Sequence, residues 1–559
     1  MFNLTKIICT IGPSTCNKEM MKKLMSTGMD VARLNFSHGS HEAHLENIKS
    51  LRDAAAELNL QIAILADLQG PKIRVGKLMN GPMKLECDSI VTITTDENRS
   101  GAGIIPTVYK NLANDVKAGS KILLDDGLLE FVVLEVKAGT DVTCRVVKGG
   151  VLKEKKGINL PNVNVSAPAV TEKDYADLEF ALANGVDYVA LSFVRHASDI
   201  DNVKRAIHKK GLDTPVIAKI ERPEAVVNFE SILKSADGIM VARGDLGVEM
   251  LPEKVPAIQK RIIKKCNMEG KPVIVATQML ESMIENPRPT RAESSDVANA
   301  IMDGADAIML SGETASGKYP VEAVEMMARI SKEIEELLFL QHQSHETLRV
   351  LNPIYGAADS LCHATGVTAR ELKAKLIVTY TESGSTALLV SKNRPRIPIL
   401  AITMSPKTSR RINLYWGVIP TLIEGVSGTD RMIEKAEEAA LTSKLAAPGD
   451  YIVITGGVPV GQPGSTNIMK IHKISNCCIA GRKHESNMIK SEYCENGITI
   501  ALDSDKCISC GVCVHCCSYK IFGFQNERVF INAENVKNCS AEKICVRSCP
   551  VGAIKLTKI

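Results

Sequence analysis

Eight apolar runs recur along the chain: Lys6–Gly12, Asp30–Ser37, Ile62–Asp67, Asp187–Val194, Pro215–Glu221, Gly238–Asp245, Pro272–Gln278 and Ala307–Glu313. All but the first and fourth finish in polar or charged groups. On a β-strand alternate side chains share a face, so Lys219 with Glu221, Arg243 with Asp245, and Arg33 with Asn35 and Ser37 would each point into one space at a strand's C-terminal end. Such charges after a Val, Ile, Met and Ala interior are costly unless they serve one another or a ligand, the plainer reading being a surface loop with ordinary salt bridges. Helical patterns lie between the runs, at His41–Leu58, Glu172–Asn184, Ile200–Lys210, Glu253–Met268, Arg291–Met302 and Val321–Leu338. Eight strands alternating with helices, polar at the strand C-termini, predict a TIM (β/α)8 barrel. A doubly wound open sheet competes, because strand order cannot be read from sequence.

The alternation breaks after Gly70-Pro71 and resumes near Ala167-Pro168. Between them Met83–Val165 is Gly-rich and strand-like, which predicts a β lid domain over residues 71–167 inserted into a barrel of residues 1–70 and 168–340. A helix at Tyr355–Thr365 and strands at Lys375–Thr379, Pro398–Met404, Val418–Leu422 and Tyr451–Thr455 predict a three-layer α/β domain over residues 341–475. Residues 476–559 form a last region of different composition.

The 559 residues exceed one domain, and 45% hydrophobic against 24% charged residues is ordinary for a globular protein. A net charge of +4 and a single Trp give no argument for nucleic acid. No secretory leader and no stretch of 18 apolar residues is evident, so the expectation is a cytoplasmic protein without a membrane partner. Of 17 cysteines, six (Cys9, Cys16, Cys87, Cys144, Cys266 and Cys362) are scattered, and the rest fall between Cys477 and Cys549. The scattered six read as reduced thiols.

The blocks TKIICTIGPST, ARLNFSHG, GPKIR, AKIERPEA, MVARGDLG, ATQMLESM, PTRAESSDVANA and DGADAIMLSGETA together resemble the signature blocks of the pyruvate kinase family, from about Thr5 to Ile474. The resemblance implies a glycolytic homotetramer that transfers a phosphoryl group reversibly between phosphoenolpyruvate and ADP, giving pyruvate and ATP. It implies Lys219 as the transition-state-stabilising lysine and Glu221 and Asp245 as ligands of Mg²⁺ or Mn²⁺. Two hard carboxylates with water and substrate oxygens suit Mg²⁺, and a lysine beside them suits a loose phosphoryl-transfer transition state. A structural Lys219–Glu221 salt bridge is the plainer alternative. The resemblance places the substrate near Gly244, Asp245 and Thr277, with Arg33 adding charge. Backbone N–H groups at a strand-to-helix turn bind anions, although Thr277 also reads as a helix cap.

By the same resemblance Asn35, His38, Arg74 and Lys156 contact the nucleotide, and Lys156 would arrive on closure of the lid. Taken alone, its LKEKKG context reads as a solvated turn. Asn35, Ser37 and Asp67 match a K⁺ site, but Leu68 stands where that site has Thr and Lys72 where it has Glu. A lysine ammonium can supply the fixed charge of K⁺, so the expectation is an enzyme that does not need it. Thr381–Ala387 (TESGSTA) resembles the family's effector loop and suits a phosphorylated effector; a plain helix start fits equally well.

Cys507, Cys510, Cys513 and Cys517 read C-x2-C-x2-C-x3-C, and Cys539, Cys545 and Cys549-Pro550 follow with C-x5-C-x3-C-P. The tail thus resembles a two-cluster bacterial ferredoxin, a small α+β domain in which the last Cys of each motif serves the other cluster. Carried over by position, Cys507, Cys510, Cys513 and Cys549 hold one [4Fe–4S] cluster. Cys517, Cys539 and Cys545 leave a second site incomplete, with Glu542 at the remaining position. That site holds three irons, uses Glu542, recruits Cys516 or is empty. Ser518 replaces the usual Pro, and Cys477, Cys478 and Cys494 have no assigned partner. Zinc on some of these thiolates is the alternative. For the tail, redox sensing, structure and electron transfer all stay open, as does a kinase fold kept as a scaffold for electron transfer or docking.

Overall fold

The apolar runs fold as strands because their Val, Ile, Met and Ala interiors suit a surface buried on both faces. They are β1 (Lys6–Ile11), β2 (Val31–Asn35), β3 (Ala63–Asp67), β4 (Tyr188–Leu191), β5 (Val216–Ile220), β6 (Gly238–Ala242), β7 (Val273–Ala276) and β8 (Ala307–Leu310). Each pairs in parallel with its neighbours in this series, and β8 returns to β1 with Cys9 opposite Leu310. The sheet is therefore a closed barrel, and the open-sheet alternative is excluded. This computed structural model describes all residues except 1–2, 138, 162, 164, 342–355, 426–427, 460–465, 476–489, 496–497, 504–505, 526–527, 540–543 and 559.

Alternation sorts each strand between two cores. Ile8, Val31, Leu65, Ile217, Met240 and Ile274 fill the barrel interior. Val216, Ala218 and Ile220 face outward into the layer beneath the helices. Arg33, Asp67 and Lys219 continue the inward sets of β2, β3 and β5 at period two, so the interior packing that ends below them aims all three at the C-terminal mouth. The helices start where local chemistry directs them: Thr171 and Asp174 form a capping box before Glu172–Ala183, and Thr290 with Glu293 does the same before Arg291–Met302.

Two sequence expectations need correction here. β6 stops at Ala242, and Arg243, Gly244 and Asp245 open a helix, Arg243–Glu249. Arg243 and Asp245 thus do not share a strand face. Likewise Ser37 lies in the turn beyond β2, past the end of its period-two set.

The insertion is a six-stranded sheet with a separate pairing of Met83–Leu85 and Gly150–Leu152, around a core of Ile93, Ile122, Phe131 and Val146. After the barrel, helix Gly356–Glu371 precedes a five-stranded sheet ordered Val418–Leu422, Ile399–Thr403, Leu376–Tyr380, Tyr451–Gly457 and Thr466–Lys473. The last strand is antiparallel and was not foreseen. Its TNIMKIHK pattern is mostly half-exposed and contains no continuous apolar run. Arg394 ties this domain to the barrel by a 2.8 Å ion pair with Asp306.

The chain divides into two compact units, Met1–Cys477 and Cys478–Ile559. In the second, strands Lys490–Glu495, Ile498–Asp503 and Ile554–Lys558 form an antiparallel sheet, and Phe522–Gln525 pairs with Arg528–Ile531. Two short helices, Val512–Cys516 and Ile544–Ser548, pack on one another. Among the described residues no helix is long and apolar enough to cross a membrane.

Candidate active site at the barrel mouth

Lys219 is the centre of the polar cluster. Its ammonium lies 2.9 Å from Glu221 Oε1 and 3.2 Å from Asp67 Oδ1, and it donates to Ser192 Oγ at 2.7 Å. Lys219 is 8% exposed, and Glu221 and Asp67 are each 1% exposed. Burial opposes the charge on Lys219, but Asp67 and Glu221 outweigh it and hold the pKa above its ordinary value. Asp67 is also buried, yet Lys219 and Arg33 keep its carboxyl below the usual range. Burial pushes Glu221 up, Lys219 opposes this, and the Asp245 carboxylate pushes it further. Two carboxylates that repel in this way welcome a divalent cation, and the half-buried Asp245 carboxylate makes no hydrogen bond or ion pair among the described residues. The donor set fits Mg²⁺ on that ground.

Around this centre Arg33 donates from Nε to Asp67 at 2.7 Å and from Nη1 to Thr10 at 2.9 Å. Gly244 donates its N–H to Thr277 Oγ1 at 2.7 Å, and that hydroxyl donates to Ala276 O at 2.6 Å. Thr277 has φ +71°, a left-handed conformation unfavourable for a β-branched residue. Arg243 turns away to Asp296 at 2.6 Å and to the Thr277 carbonyl at 2.7 Å, and so supports the loop from behind.

The nucleotide and K⁺ candidates gather only in part. Burial lowers the His38 pKa, and the positive charges of Arg74, Lys72 and Arg33 lower it further. Asn35 Oδ1 accepts from the Ser37 N–H at 3.1 Å, and Asn35 lies opposite Asp67 in the β2–β3 register. Lys156 stands apart, paired at 2.7 Å with Asp125 inside the inserted domain. In the α/β domain, Thr381–Ala387 does run from strand to helix, with Gly384 at φ +92° donating to Thr381 Oγ1 at 3.0 Å.

Sequence reasoning passed over five contacts. Ser192 follows β4 and links Lys219 to Asp67, and the Phe193 N–H donates to Glu221 Oε2 at 2.6 Å. The polar residue closing YVALS was the available signal for Ser192. Glu249, 3% exposed, accepts from Asn159 of the inserted domain at 2.9 Å and lies 3.8 Å from Arg222. These residues, with Lys72, Phe193 and Arg195, line a narrow cleft between the barrel and the insertion. Nothing in the local pattern of VEM around Glu249 marked it.

In the second unit the cysteines fall into two sets. Burial pushes the Cys513 thiol up to about 11, with Cys507 and Cys510 adding to the effect. Burial also pushes Cys545 up to about 11, and there Cys517, Cys516 and Cys539 are the neighbours. Cys549 Sγ accepts from the Ala553 N–H at 3.3 Å. Among the described residues no three His, Cys, Asp or Glu side chains close into a site for a single ion. Glu542, Cys477 and Cys478 lie outside the described residues.

Residues 2–324 match the family described as "Pyruvate kinase, barrel domain", and residues 359–472 match "Pyruvate kinase, alpha/beta domain". A pyruvate kinase from Geobacillus stearothermophilus is 48% identical over 480 residues, 86% of this chain and 81% of that protein. One from Bacillus licheniformis is 46% identical over 480 residues, 86% of this chain and 82% of that protein. The crystal structure of a pyruvate kinase from Cryptosporidium parvum superposes with a TM-score of 0.78 at 40% identity, covering 84% of this chain and 96% of that one. With a closed barrel, a polar mouth of the right composition and matches across both the barrel and the α/β domain, this chain belongs to the pyruvate kinase family and is a phosphotransferase.

Proposed function

We propose that the chain transfers the phosphoryl group of phosphoenolpyruvate to ADP, giving pyruvate and ATP, at the mouth around Lys219. The observation that carries this is a buried ammonium held between Glu221 and Asp67 at the C-terminal end of a barrel. A fixed cation there meets the charge that spreads over the phosphoryl oxygens in flight, without reorganising. An oxygen of the ADP β-phosphate attacks phosphorus, the bond to the enol oxygen breaks, and the enolate takes a proton at carbon to become pyruvate. Arg33 faces the substrate phosphate; Gly244, Asp245 and Thr277 form the turn that receives its carboxylate. Glu221 and Asp245 hold Mg²⁺ or Mn²⁺, which supplies charge neutralisation and orientation to the substrate oxygens when bound.

Asn35, His38 and Arg74 face the nucleotide, and Lys156 reaches it only after leaving Asp125. Lys72, whose charge is already felt at His38, replaces K⁺ beside Asn35, Ser37 and Asp67. A homotetramer and a phosphorylated effector at Thr381–Ala387 complete the kinase reading. The tail, residues 476–559, carries iron–sulfur clusters, with Cys507, Cys510, Cys513 and Cys549 as one ligand set; Cys517, Cys539 and Cys545 belong to another. Thiolate donors in two separate sets are the chemistry that such clusters use.

The test of the kinase reading is formation of pyruvate and ATP from phosphoenolpyruvate and ADP by the full chain. Mg²⁺ should be required, and Glu221→Gln should raise the Mg²⁺ concentration needed. Turnover unaffected by chelation would overturn the metal assignment. For the tail, anaerobic purification should give a brown protein with broad visible absorption, whereas a colourless protein with stoichiometric zinc would refute the cluster reading.

A further inference from the structure

We propose that Cys516 supplies the fourth thiolate of the second cluster site, in place of the residue at motif position 542. The inference rests on the iron–sulfur reading above and deepens it. Cys516 belongs to neither motif. It is the last residue of helix Val512–Cys516, and that helix packs on Ile544–Ser548, which carries Cys545. Cys516 adjoins Cys517 in the chain, and Cys516, Cys517 and Cys539 all pack against the core that contains buried Cys545.

Eight of the tail's eleven cysteines then form two complete sets. Cys507, Cys510, Cys513 and Cys549 make one set of four, and Cys516, Cys517, Cys539 and Cys545 make another. Two four-iron clusters each take four thiolates. A thiolate is a softer donor than a carboxylate and better matched to iron–sulfur chemistry, so a cysteine available beside three others outcompetes Glu542. The present partner of the Cys516 thiol is weak: Sγ donates to the Cys513 carbonyl at 3.7 Å, within its own helix. On loading, the S–H bond breaks, the proton goes to solvent and an S–Fe bond forms, with no change in oxidation state at sulfur.

The experiment uses the full-length protein reconstituted anaerobically with iron and sulfide. It reads iron and acid-labile sulfide per chain, and electron paramagnetic resonance after mild oxidation. The wild type should hold about eight irons and show no oxidised three-iron signal. Cys516→Ser should hold about seven, gain that signal and keep the reduced signal of the first cluster, which reports that the tail has folded. Glu542→Gln should match the wild type. The double variant C516S/E542C, which restores the motif cysteine, should regain the lost iron. A Cys516→Ser protein with wild-type iron content, an iron loss in Glu542→Gln, or a double variant that regains nothing would each overturn the proposal. So would a wild type with about four irons, which leaves the first cluster standing. A wild type with neither iron nor sulfide would refute the iron–sulfur reading itself, and this proposal with it.

Discussion

Lys219 and Asp67 meet at 3.2 Å although β5 and β3 are not neighbours, and Ser192, just beyond the intervening β4, accepts from one and donates to the other. Asp67 thereby serves as the common counter-ion of Lys219 and Arg33, a role beyond the K⁺ ligation that sequence suggested. Breaking a buried pair by removing one member costs about 3–5 kcal/mol, so Asp67→Ala should lower barrel stability by that order at pH 7. The Asp67 pKa is held below its ordinary 3.8. Its contribution is therefore present above the unfolded value and lost as pH falls through the folded one. Thermal midpoints of wild type and variant should converge below about pH 4. A gap independent of pH would contradict this.

Glu249 should behave in the opposite sense. Burial raises its pKa above the ordinary 4.5, only partly offset by Arg222 and Asn159, and its Oε2 has no hydrogen-bond partner among the described residues. The folded state then binds the proton more tightly than the unfolded one, so this residue lowers stability as pH rises through 4.5 toward the folded value. Glu249→Gln keeps an acceptor for Asn159 and removes the charge. It should equal or exceed wild-type stability at pH 7, by about 1 kcal/mol, and lose that advantage at pH 4. A destabilised Glu249→Gln at pH 7 would show that the Arg222 contact dominates.

The strained turn at Thr277 offers a separation of stability from turnover. Thr277→Gly relieves about 1–2 kcal/mol of left-handed strain and gives up two hydrogen bonds, to Gly244 and Ala276, of about 1 kcal/mol each. Its thermal midpoint should stay within a few degrees of wild type while kcat falls about tenfold or more. Gly244→Ala places a Cβ 3.3 Å from Thr277 Oγ1, on the turn proposed to receive the substrate carboxylate, and should raise KM for phosphoenolpyruvate with little loss of stability. Steady-state kinetics beside calorimetry checks both.

The barrel could be read from the chain because a parallel strand buried on both faces needs an unbroken apolar run, and such runs are conspicuous in PVIAKIE or AIMLSGE. Lys219 and Glu221 were found for the same reason, as charges that end such a run at period two. Arg243 and Asp245 followed the same spelling, yet the strand GIMVA ends at Ala242 and the chain enters a helix at Arg243. Ser192, Asn159 and Glu249 escaped because their importance comes from partners 27 to 125 residues away, and sequence spacing carries no such information. The cysteine motifs stand out in the sequence, but that the helix carrying Cys516 packs on the one carrying Cys545 depends on tertiary structure that spacing does not encode.

Lys72 gives a test by reversal. If its ammonium stands in for a monovalent cation, wild-type activity should be the same in Na⁺, choline or K⁺ buffers. Lys72→Glu should lose about tenfold or more in kcat without K⁺ and regain much of it on addition of K⁺. A wild type strictly dependent on K⁺, or a Lys72→Glu indifferent to it, would dismiss this role for Lys72.

Lys219→Met removes the cation that the proposed mechanism places against the phosphoryl group, while Arg33 stays to pair with Asp67. Single-turnover transfer from phosphoenolpyruvate to ADP, measured beside phosphoenolpyruvate affinity, reads its contribution most directly. The rate should fall by about 10²–10³-fold or more with affinity changed only a few-fold. Phosphoryl transfer at the wild-type rate in Lys219→Met would contradict the mechanism.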